Sequence, residues 1–140
     1  LPWETASHRI TEGPFVLKHQ DTYYMMYSGS GAKDPNYAIG YATSAHPTGP
    51  FRKAPHNPIM KRSDGIFGPG HNSLITLPSG EIWIVYHQKM SDKIGYDRKI
   101  CIERLRITDD GRMTATPTRG TAQPAPIIDS PPTPEASPSP

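Results

Sequence analysis

Several things are scarce in this 140-residue chain, and each shortage excludes something. It has a single cysteine, Cys101, so no internal disulfide can staple the fold. That thiol sits in "KICIERLRI" among strand formers and reads as buried and inert. Charge of either sign is sparse, 15 Lys and Arg against 13 Asp and Glu, and no basic run exceeds "KR" at 61 and 62. A nearly neutral, scattered pattern offers no platform for nucleic acid or an anionic membrane surface. No apolar stretch approaches the ~20 residues that a membrane-spanning helix needs. No segment carries a convincing helical period.

Apolar residues are also few, at 34%, beside 17 Pro and 12 Gly, but this shortage is local. From Pro117 onward the chain holds eight Pro in 24 residues and no aromatic side chain. Such a stretch buries too little surface to offset its ordering entropy, so residues 117–140 are expected to form a disordered, polyproline-like tail or linker. The folded domain is then residues 1–116. The chain opens with "LPWE" rather than Met, which reads as a piece of a longer protein; a missing leader therefore says nothing about localisation.

What is present is β-structure. "PFVLKH" (14–19), "TYYMMYSGS" (22–30) and "YAIGYATS" (37–44) are rich in aromatic and β-branched residues. "NSLITL" (72–77), "EIWIVYHQ" (81–88), "KICIERLRI" (99–107) and "RMTAT" (112–116) follow. "PSG" and "DDG" supply tight turns, with Gly80 and Gly111 placed for positive φ. The two halves repeat: "FVLKHQDTYYMMYS" and "SLITLPSGEIWIVYH" share strand, turn and aromatic strand, and each continues into a third strand and a short fourth. Four antiparallel strands over about 60 residues form a propeller blade. The predicted fold is all-β, two four-stranded blades. Two blades cannot close a ring, and their open faces need neighbours.

In a propeller the first strand of each blade lines the central channel. Glu12, in "TEGPF", and His71, in "GPGHNS", stand at nearly equivalent entrances of consecutive blades, offset by one position. Both are placed to face the axis, where a small ligand could be held. The Gly-Pro irregularity prevents strict alternation from fixing their facing, and a solvated Glu beside a turn remains the plainer alternative. Trp3 could stack on a ligand at the channel mouth. Trp83 belongs to a blade core, His87 to a strand end, and Glu4 to the rim or the framework. Asp21, Asp109 and Asp110 fall in hairpin turns, and Asp34, Asp64 and Asp92 in loops.

"PWE" followed closely by "TEGPF", then "YYMMYSGS", "YAIGYATS…GPF", "GPGHNS" and "WIVYH", resembles glycoside hydrolase family 43 from about Pro2 to Thr116. The resemblance implies a five-bladed propeller that cleaves arabinofuranosyl and xylosyl linkages, with this chain supplying the last two blades. It makes Glu12 the general acid and His71 a residue that helps hold a calcium ion, largely through water, although no cofactor is required for the reaction. Arg98 matches an arginine that reaches the sugar in xylosidase-like members; a rim charge is the alternative. The base aspartate and the aspartate that tunes the acid would lie upstream of Leu1, so the chain alone is expected to be inactive. Arabinose- or xylose-containing polysaccharides and the missing N-terminal blades are the implied partners, and a secreted or periplasmic location the implied setting, with a cytoplasmic one open. A propeller phosphorylase, which would need more basic residues at the channel mouth, and a non-catalytic sugar-binding propeller remain as alternatives.

Overall fold

A computed structural model describes residues 1–128. A short 3-10 turn, Pro2–Thr5, precedes eight strands. β1 (Thr11–His19), β2 (Thr22–Gly29), β3 (Ala38–Ser44) and β4 (Arg52–Lys53) form one antiparallel sheet in that order. β5 (Gly70–Thr76), β6 (Ile82–Lys89), β7 (Arg98–Ile107) and β8 (Met113–Thr114) repeat it in a second. These are the two predicted blades of a β-propeller. The hairpin turns follow from Gly80 (φ +84) and Gly111 (φ +77), whereas the β1–β2 turn puts Gln20 in the left-handed region (φ +51).

The core lies between the blades. Tyr24, Met26, Ile39 and Tyr41 of the first sheet meet Leu74, Ile82, Ile84, Tyr86, Leu105 and Met113 of the second. Met26, Ile39 and Ile84 are fully buried, and each side chain of this size stabilises by ~1.5–3 kcal/mol when taken out of water. Two tyrosines stitch the blades: Tyr24 Oη donates to the Gly111 carbonyl (3.1 Å), and Tyr41 Oη accepts from the Met113 amide (3.1 Å). The opposite face of the second sheet is apolar and open, with Ile75, Ile100 and Ile102 exposed. That is the surface a further blade would cover.

The packed part does not stop at residue 116. Glu103 is buried on β7, and its carboxylate accepts hydrogen bonds from the Thr118 amide and hydroxyl, both at 2.7 Å. Gln88, fully buried, donates to the Thr118 carbonyl at 2.7 Å. Arg119 reaches the carbonyls of Gly65, Lys89 and Met90. Two buried polar side chains on the blade recruit the first residues of the Pro-rich segment as partners. The remainder of the expected tail, 129–140, lies outside the described residues.

Candidate functional site

Both inner strands break register at the same place. In β1 the pairing runs Thr11↔Gly29, Glu12↔Ser28 and then jumps to Phe15↔Met26. In β5 it runs Gly70↔His87 and then jumps to Ser73↔Val85. Each is a bulge with one extra residue. Because Ser28 and His87 occupy matching positions beside Tyr27 and Tyr86, the register counterpart of Glu12 is Gly70, and that of Gly13 is His71. Gly13 has φ +60 and His71 φ +51, so the two bulges share one backbone shape. This explains the one-position offset between Glu12 and His71 in the sequence repeat.

The bulges bring the two residues together. The His71 imidazole lies over Gly13, its carbons 3.4–3.5 Å from where a Cβ on Gly13 would stand. The His71 amide donates to Ser28 Oγ at 2.8 Å, tying the second inner strand to the first blade. Glu12 is held by a residue that sequence reasoning missed. Tyr37, fully buried at the end of the β2–β3 loop, donates its hydroxyl to Glu12 Oε1 at 2.7 Å. Its ring stacks on His87, with centroids 5.5 Å apart and planes 11° from parallel. It also fills the space a Cβ on Gly70 would need, its Cε1 lying only 2.0 Å from that position. The one trace of this in the sequence is the second glycine of "GPGHNS".

Burial, followed by the hydrogen bond to Glu12, pushes the Tyr37 phenol well above the ordinary tyrosine range, so it remains a proton donor. Burial, followed by the charge of Arg98, lowers the His87 pKa to about 4 and keeps that imidazole neutral near pH 7. His87 Nε2 is buried with no hydrogen-bond partner, where a hydrogen-bonded strand-end histidine was the expectation. Arg98 opens β7 with its guanidinium 5.0 Å from the Tyr96 ring centre. His71, His87, Tyr96, Arg98, Lys99 and Ile100 line a cleft of about 540 Å³. The loop carrying Tyr96 is pinned at its base by Lys89, fully buried, whose Nζ donates to Asp97 Oδ1 at 2.7 Å.

Trp3, expected to stack on a substrate, also packs against its own blade. Its indole packs onto Gly29 and Gly40, within 2.7 and 2.6 Å of where their Cβ atoms would be, and stacks on Tyr27 at 5.6 Å. Two glycines let the indole approach the sheet this closely, and the ring thereby becomes part of the first blade. Glu4 is structural: its buried carboxylate accepts from Tyr27 Oη and Lys53 Nζ, both at 2.7 Å. Burial alone would raise its pKa, but these donors, led by Lys53, outweigh that and hold it at about 2.

Among the described residues no three His, Cys, Asp or Glu side chains cluster as metal ligands. The rim offers imidazoles beside cationic Arg98 and Lys99, whereas calcium takes six to eight oxygens. Asp34 is buried and caps the Asn36 amide at 2.7 Å, Asp97 accepts from Lys89 Nζ at 2.7 Å, and Asp110 sits in a hairpin turn.

The family model described as "Glycosyl hydrolases family 43" matches residues 2–113. The β-D-galactofuranosidase xynD of Aspergillus niger is 35% identical over 112 residues, covering 79% of this chain and 33% of the relative. An extracellular exo-α-(1→5)-L-arabinofuranosidase of Streptomyces avermitilis is 34% identical over 104 residues, covering 69% of this chain and 21% of the relative. The crystal structure of a thermostable family-43 glycoside hydrolase superposes with a TM-score of 0.82 at 40% identity, covering 92% of this chain and 43% of that one. The chain thus spans a third or less of these two curated relatives. With the match running from the 3-10 turn to the last strand, and the paired blades found again at 40% identity, this chain belongs to glycosyl hydrolases family 43.

Proposed function

We propose that this chain supplies two blades of an inverting glycoside hydrolase that cleaves terminal or internal arabinofuranosyl or xylosyl linkages of plant-type polysaccharides, with Glu12 as its general acid. One observation carries this reading: Glu12 stands at a bulged channel entrance, gripped at one oxygen by a buried phenol and flanked by His71. A carboxyl group held by one oxygen keeps the other free to protonate a leaving oxygen. Inversion also needs a carboxylate across the sugar, ~6.5–9.5 Å from the acid, to activate water. Among the described residues no aspartate lines the pockets beside Glu12 or His71, which supports a base supplied by another blade and a site that these residues alone leave incomplete. Arg98 shares the cleft with His71, which supports a contact to the sugar. The family supports a polysaccharide substrate, and two relatives, an arabinofuranosidase and a galactofuranosidase, support a furanoside. One of them is named extracellular, which favours a secreted setting; no helix among the described residues is long and apolar enough to cross a membrane.

The test is Glu12→Gln in the complete enzyme that carries these blades. General acid catalysis contributes ~10²–10⁴-fold, and a loss of that order is expected on natural linkages. Aryl glycosides with good leaving groups need little protonation and should lose far less. Equal losses on both substrate types would remove Glu12 from the acid's role. In parallel, residues 1–140 assayed beside a Glu12→Ala control should give coincident traces.

A further inference from the structure

We infer that Tyr37 is a positioning residue for the general acid, fixing the Glu12 carboxyl so that the transferable proton resides on Oε2. The inference rests on the reading of Glu12 as the acid.

Its basis is the hydrogen bond that the buried Tyr37 hydroxyl donates to Glu12 Oε1 at 2.7 Å. Ser28, fully buried beside Tyr37, accepts from the His71 amide at 2.8 Å. With its oxygen engaged by an amide that can only donate, the Ser28 proton is free to turn towards the phenol, which favours the phenol's own proton on the Glu12 side. A neutral carboxyl has one proton, and an oxygen already accepting a phenol's proton is the poorer place for it. The acid's proton is thereby left on Oε2.

When the glycosidic C–O bond breaks, that proton moves from Oε2 to the leaving oxygen, and Glu12 becomes a carboxylate. The charge so formed is shared with Oε1, where the phenol already donates, so the contact strengthens as the reaction proceeds. Tyr37 cannot swing away. Its ring is enclosed between His87 on one face and the vacant Cβ position of Gly70, and its amide is held by the Asp34 carbonyl at 3.1 Å. The charged and titratable groups around this hydrogen bond are His71, His87 and Arg98.

The experiment compares Tyr37→Phe, Ser28→Ala and Glu12→Gln in the complete enzyme carrying these blades. Tyr37→Phe keeps the ring in its slot and removes only the donor. On unactivated linkages kcat should fall by about tenfold or more, with KM within about twofold, because the lost interaction strengthens only during proton transfer. On dinitrophenyl glycosides kcat should stay near that of the parent. Ser28→Ala should move the same way by a smaller factor, and it tests the idea independently if Tyr37→Phe fails to fold. In residues 1–140 the Tyr37 hydroxyl proton should give an exchange-protected NMR resonance, absent from Tyr37→Phe and shifted in Glu12→Gln. An equal fall on both substrate classes, or a rise in KM with kcat unchanged, would reduce Tyr37 to packing and overturn the inference. If Glu12→Gln itself fails to discriminate between leaving groups, the acid assignment falls and the positioning role falls with it. If Glu12→Gln discriminates and Tyr37→Phe does not, only the positioning role is lost.

Discussion

Ending the chain after Thr116 should unfold it far more readily than its composition suggests. The truncation removes Thr118, whose amide and hydroxyl both donate to the buried Glu103 at 2.7 Å and whose carbonyl accepts from the buried Gln88 at 2.7 Å. Glu103 would keep only Tyr86 Oη, at 3.3 Å, and Gln88 only its 2.7 Å contact to the same hydroxyl. A hydrogen bond to a charged group contributes ~1.5–3 kcal/mol and a neutral one ~0.5–1.5 kcal/mol. Water entering the opened edge would restore part of this, so a net loss of about 3 kcal/mol is expected. The contacts of Arg119 to backbone carbonyls lie largely at the exposed surface and are not counted. For a domain of this size each kcal/mol moves the thermal midpoint by ~4 °C, so the truncated chain should melt roughly 10 °C below the parent. Thr118→Val, which deletes only the hydroxyl, should cost about 1 kcal/mol and fall between the two. Urea and thermal unfolding of the three proteins, followed by tryptophan fluorescence, give the ordering. Coincident curves for residues 1–116 and 1–140 would show that Thr118 contributes nothing to the blade and that the boundary lies at Thr116.

Two further outcomes follow from the entrance bulges and the stacked imidazole. At φ +51 an Ala in place of His71 keeps the left-handed strain that Gly relieves, so His71→Gly should be more stable than His71→Ala by about 1 kcal/mol, read by urea unfolding; equal stabilities would mean that the bulge relaxes without cost. His87, with its folded pKa near 4 against an ordinary 6.5, resists the proton that the unfolded chain accepts, so stability should drain away as pH falls from about 6.5 to 4 and level off below that. The loss is at most about 3 kcal/mol, and His87→Phe should flatten that part of the stability profile; an unchanged slope would place the acid sensitivity elsewhere.

The strands were legible because their signals are local. Alternating aromatic and β-branched runs put every strand within a few residues of its predicted position, and Gly80 and Gly111 marked two of the turns. Tyr37 was not legible as a site residue. In sequence it reads as the first position of "YAIGYATS", and its meaning depends on a loop that returns it to Glu12, 25 residues earlier, and beneath Gly70, 33 residues later. The packing of Trp3 was hidden for a related reason: an aromatic before a blade says nothing of the two glycines, 29 and 40, that receive it. Thr118 was hidden by composition, since a Pro-rich segment carries no signal that a buried Glu103 needs its donors. The comparison of the two bulges goes further than any single motif. The same left-handed backbone corner occurs at residues 13 and 71, and the first blade fills it with glycine, the residue that suits it. The second blade fills it with histidine, at a cost in backbone strain of order 1 kcal/mol, and sets that imidazole over the first corner. Packing gives no return for the substitution, since the side chain is exposed. Strain retained at a rim position, next to a carboxyl held by a buried phenol, is what a site under functional constraint shows.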